Sequence, residues 1–119
     1  MPFWQTVPVT DEPVLNLSSW RVFRLHDGDL HLVGINERNG EGRVSRAIDA
    51  IDPCTLVCAS SSGRFYRLIG QPGSHSDADY VWQAWLTAYE IPSWTEETPE
   101  VWAAHLEAPT APTEREPQS

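Results

Sequence analysis

Between residues 20 and 70, short apolar stretches alternate with Gly, Asp and Asn clusters at near-regular intervals. This punctuation is the signature of an antiparallel meander, and it constrains the fold more than any other feature of the chain. Strands are expected at about 20–26 (WRVFRLH), 30–36 (LHLVGIN), 43–48 (RVSRAI), 55–60 (TLVCAS) and 64–69 (RFYRLI). The turns between them are His26-Asp27-Gly28-Asp29, the loop from Glu37 to Gly42, a link from Asp49 to Pro53, and Ser61-Ser62-Gly63. Asp-Gly and Asn-Gly suit such turns because the backbone needs positive φ, which Gly adopts without strain and Asn and Asp tolerate. A weak echo runs through the meander: residues 42–48 (GRVSRAI) and 63–69 (GRFYRLI) share Gly, Arg, Arg and Ile at an offset of 21. Positions three apart on a strand face opposite sides, so the two Arg of each copy should not share a face.

After the Gly70–Gly73 break, Ser76 precedes Asp77-Ala78-Asp79 in an S-x-x-D capping pattern. A helix over about 77–90 follows, with Trp82, Trp85, Leu86 and Tyr89 at i, i+3, i+4 and i+7, a stripe that should pack on the sheet. Thr98 followed by Pro99 and Glu100 opens a shorter helix to about Glu107, with Val101, Trp102 and His105 on one side. The expectation is an α+β domain over residues 15–107. It consists of an antiparallel meander of about five strands, curled towards a small barrel and packed against one amphipathic C-terminal helix and a second short one. Residues 1–14, with Pro2, Pro8 and Pro13, read as an irregular arm. Residues 108–119, without periodicity, read as a disordered tail.

Charge is divided unevenly along the chain. Residues 20–70 carry seven Arg against six acids, whereas residues 71–119 carry nine acids against Arg115 alone, within a formal net charge of −9. There is no Lys. An acidic total argues against direct nucleic-acid binding, which needs an excess of cations to displace counterions. The acids of the C-terminal half, Glu96, Glu97 and Glu100 among them, instead suit docking on a protein partner with a basic surface. No run of about 18 apolar residues exists, and MPFWQTVPVT lacks a basic region followed by an apolar one. Neither export nor a membrane partner is expected. Cys54 and Cys58, on a strand, would lie too far apart for a disulfide and read as two buried free thiols, which fits a cytoplasmic protein.

The segments Leu32-Val33-Gly34, Gly42-Arg43-Val44-Ser45, residues 62–73 (SGRFYRLIGQPG) and Tyr80-Val81-Trp82-Gln83-Ala84-Trp85 resemble small uncharacterised proteins of proteobacteria and their phages and plasmids. The resemblance covers about residues 15–90; it implies no assigned activity and transfers no functional residue. Size, charge and that mobile-element context point by analogy to small acidic anti-defence proteins such as anti-CRISPRs, inhibitors of nucleic-acid-handling proteins.

Candidate chemistry is sparse. His75 with Asp77 and Asp79 has alternate ligand spacing, but both acids are already explained as helix-start residues. His26 and His31 flank Asp27 and Asp29 across a tight turn, a solvated hairpin tip whose sharper alternative is a metal site or a His/Asp-dependent hydrolase or transferase. No G-x-S-x-G, G-x-G-x-x-G or Walker pattern occurs, so no cofactor is expected. Arg43, Arg64 and Arg67 open or sit within neighbouring strands. They form either an exposed clamp for carboxylate or phosphate, or pairs with Glu37, Glu41, Asp49 and Asp52 across the sheet. A non-enzymatic protein-binding module is the first expectation. The hydrolase or transferase is the second, and a self-associating structural protein, at its simplest a homodimer, is the third.

Overall fold

A computed structural model describes residues 14–108. The expected arm and tail lie outside the described residues, except that Val14 already opens a strand and Ala108 caps the last helix. In chain order the elements are β1 (Val14–Leu25), β2 (Leu30–Asn36), β3 (Glu41–Val44), β4 (Ile48–Asp52), β5 (Val57–Ser60), β6 (Phe65–Leu68), α1 (Ser76–Ala88), β7 (Trp94–Glu96) and α2 (Thr98–Glu107). The architecture is α+β, a mostly antiparallel seven-stranded sheet packed with two helices, as the turn spacing and the helical stripe indicate. The strand order is β3-β2-β1-β6-β5-β4, with β7 also pairing β1. Two three-stranded meanders are therefore joined where β1 and β6 run parallel, with Val14 opposite Phe65 and Leu17 opposite Leu68.

Two departures from the sequence expectation shape the molecule. Residues 43–48 are not one strand: β3 stops at Val44, and Ser45 accepts the Leu32 amide on its Oγ while donating to the Arg46 carbonyl. A side chain bonding to nearby backbone in this way ends a ladder. The Asp49–Pro53 link is instead mostly strand β4, whose Asp49 and Asp52 are exposed at the end of the strand order. Charges are well tolerated there because an edge strand faces water.

β1 builds a core on each side of the sheet. Leu15 and Leu17 point inward, the register shifts between Ser18 and Arg21 where Ser19 takes φ 48°, and Trp20 and Val22 then point inward in their place. The bulge thus moves the inward set from odd to even positions and turns Phe23 and Leu25 to the opposite face. The first core fills the concave side with Leu15, Leu17, Trp20, Leu32, Tyr66 and Leu68, and Val101 and Trp102 of α2 pack against it. Trp20 meets Trp102 edge-on at 6.1 Å and donates from its indole to the Gly70 carbonyl at 3.1 Å. Ile48 of β4 belongs to this core together with Leu32 of β2, four strands away, so the sheet curls. It stays open, because no ladder joins β3 to β4.

The second core lies between the outer face of β1–β2–β3 and α1, where Phe23 stacks on Trp82 at 4.6 Å and Trp82 on Trp85 at 5.5 Å. Gly42 is what lets α1 approach: a Cβ there would stand 2.5 Å from the Asp77 carbonyl oxygen. The α1 cap differs from the S-x-x-D pattern, because His75 is the N-cap and its Nδ1 accepts the Asp77 amide at 3.0 Å. Tyr89, expected in the stripe, is the C-cap residue and is exposed. No helix among the described residues is long and apolar enough to cross a membrane.

Candidate functional site

The arginines and the acids receive opposite treatment from the fold. Arg43 of β3 and Arg64, the residue before β6, are buried, 7% and 1% exposed, whereas Arg46, beyond the end of β3, and Arg67 of β6 are exposed. The expected exposed row of Arg43, Arg64 and Arg67 therefore does not form. Arg43 Nη2 lies 3.3 Å from the Tyr66 hydroxyl, its guanidinium stands 5.7 Å from that ring, and its Nε is buried without a partner.

Two further arginines are bound to acids from the C-terminal half. Arg21 on β1 donates from Nε and Nη2 to Glu96 at 3.1 and 2.9 Å and from Nη1 to Asp79 at 3.2 Å. This bidentate bond holds the Glu96 carboxyl below its ordinary range and raises Arg21. Arg24 donates from Nε and Nη2 to Glu97 at 2.6 and 3.3 Å and from Nη1 to the Gly28 carbonyl at 2.8 Å. Glu96 and Glu97 are thus internal partners of the sheet. Glu100, in the first turn of α2, stays exposed with no ion pair among the described residues. The short strand β7 and the hydroxyl of Thr98, which accepts the Val22 amide at 2.9 Å, place these acids beside β1.

A cavity of about 340 Å³ opens where the curled sheet meets α2. Its apolar wall is Leu30, Ile48, Ile51 and Val101. Its polar lining is Asp29 from the β1–β2 turn, Asp49 from β4, and the Arg24–Glu97 pair. Neither Asp29 nor Asp49 makes an ion pair among the described residues. The acids of the hairpin tip were visible in the sequence, but their meeting with Asp49 was not, because residues 49–53 read as a linker rather than a strand.

The histidine and cysteine candidates disperse. His31 turns inward, 6% exposed, against Trp85 at 4.7 Å, and donates from Nδ1 to the Ser45 carbonyl at 2.8 Å, whereas His26 is exposed. Burial lowers the His31 pKa, against the smaller opposing pull of the Ser45 bond and of Asp29 and Asp27. His75 uses its ring nitrogen on the α1 cap, and no group of three or more His, Cys, Asp or Glu among the described residues is placed to hold a metal ion. Cys54 is exposed, contrary to expectation, because it sits in the β4–β5 turn. Cys58 is buried in the first core, and desolvation pushes its thiol up to about 12. No family model matches the chain, nor does any curated protein or solved structure.

Proposed function

We propose that this chain is a non-enzymatic binding module that docks through its carboxylates on a basic protein surface. One observation carries this reading: the fold buries or pairs four of its arginines, leaving Arg38, Arg46 and Arg67 exposed, while most of its acids face solvent. Arg43 and Arg64 are buried and Arg21 and Arg24 are tied to carboxylates, while Asp27, Asp29, Asp49, Asp52, Glu100 and Glu107 remain exposed. The exterior is therefore more acidic than the seven-to-six balance of residues 20–70 implies, and such a field steers association with a positive patch. A nucleic-acid-handling protein offers a patch of this kind, since its phosphate-binding groove is lined by cations. An acidic module seated there would exclude the nucleic acid by occupying its counter-charge.

Zero-length carboxylate-to-amine cross-linking in extract of the native host tests the proposal. The chain has no lysine, so partner lysines supply the side-chain amines for its carboxylates. Links should map to Asp27, Asp29, Asp49, Asp52 or Glu100 and should decline steeply as salt rises. Association that is indifferent to salt, with links absent from these carboxylates, would overturn the docking role.

A further inference from the structure

We propose that the cavity at the mouth of the curled sheet receives one basic side chain of the partner, an arginine or lysine whose aliphatic stem lies along its apolar wall. This rests on the docking role above and names how that surface engages. A volume of about 340 Å³ is at the small end of ligand pockets and has room for one long side chain with its solvent. Ile48 and Val101 offer the aliphatic stem a surface to cover, and long cationic side chains bury their methylenes in this way while keeping the charge solvated. The polar lining carries three carboxylates against one guanidinium. One of these, Glu97, already holds Arg24 in a two-pronged bond, and the Gly28 carbonyl takes a third donor of the same group. The mouth thus contains a guanidinium held by the type of acceptor it offers a second one. Asp29 and Asp49 line the same cavity with no ion pair among the described residues and supply the counter-charge for the incoming head. Charge and apolar wall together select an alkyl cation over an anion or a bare inorganic ion.

Amide chemical-shift mapping of the full chain at low ionic strength, titrated with agmatine and separately with guanidinium chloride, tests this. The agmatine is acetylated on its amine, so that it carries the stem and one cationic head; guanidinium carries only the head. Agmatine should shift amides of residues 28–30, 48–51 and 101 saturably, and guanidinium should do so several-fold more weakly. Asp29→Asn and Asp49→Asn should each weaken agmatine about threefold, the size expected for one exposed ion pair. Both side chains are exposed, so each variant's own spectrum checks that the fold is retained. Equal response to the two cations, shifts spread over all surface acids, or agmatine binding unchanged in both variants would overturn the proposal. If salt-sensitive partner cross-links persist while agmatine fails at the mouth, the side-chain socket falls and the docking role stands. If agmatine binds at the mouth but carboxylate cross-links are absent, the docking role falls and the ligand is a free alkyl cation instead of a partner's side chain.

Discussion

At the scale of single residues, two buried ionisable groups define what the interior tolerates. Among the described residues Arg43, 7% exposed, has no carboxylate within ion-pair distance and leaves its Nε without a partner. Its bond to the Tyr66 hydroxyl and its approach to that ring contribute about 2 kcal/mol each, against a desolvation cost of several kcal/mol for a buried cation. Arg43→Met, which fills similar volume without charge, should therefore leave the melting temperature unchanged or raise it. A fall of several degrees would mean that the guanidinium is needed where it lies. His31 works in the opposite sense. Its folded pKa is lowered from 6.5 mainly by burial, so just below pH 6.5 the unfolded chain holds the extra proton. Stability from this group is complete above about pH 6.5 and is lost as pH falls below it, because stability rises with pH wherever the unfolded state binds more protons. The melting temperature of the wild type should fall more steeply between pH 7 and 5.5 than that of His31→Gln; parallel curves would refute the assignment. Neither role was legible beforehand, since a histidine flanking a D-G turn at a hairpin tip and an arginine opening a strand both read as solvated.

At the scale of elements, periodic signals survived and boundary signals did not. The stripe Trp82, Trp85, Leu86 located α1, and Thr98-Pro99 located the start of α2, because each rests on packing or capping that is local in sequence. Turn chemistry likewise located β2 and the hairpins around Gly28, which takes φ 97°, and Gly63. What escaped was set by partners distant in sequence. β1 extends back to Val14 because β6 lies alongside its first four residues, and a parallel pairing leaves no hairpin signature. β4 carries Asp49 and Asp52 because it lies at a sheet edge, which composition alone reads as a linker. β7, three exposed residues, exists through its pairing with β1. Those misplaced elements are also the ones that build the cavity and bring Glu96 and Glu97 to their arginines. The candidate site was consequently less legible than the fold that carries it.

At the scale of the whole molecule, the contest is between contact ion pairs and a net charge of −9. Arg21 with Asp79 and Glu96, and Arg24 with Glu97, are held at 2.6–3.2 Å. The exposed acids repel one another over much longer distances. Raising ionic strength from 0.01 to 0.15 M shortens the screening length from about 30 Å to about 8 Å, which removes most of the long-range repulsion while both values still exceed the separation within a pair. Partly exposed pairs contribute only about 1 kcal/mol each, and losing a fraction of that weighs less than relieving the self-repulsion of a compact acidic chain. The melting temperature should therefore rise as sodium chloride is added over this range, while association with a basic partner weakens over the same range. Calorimetry at fixed pH reads the first effect and binding kinetics the second. A melting temperature that falls with salt would show that the ion pairs outweigh the repulsion. The charge split would then belong to the stability of the fold rather than to the surface it turns towards a partner.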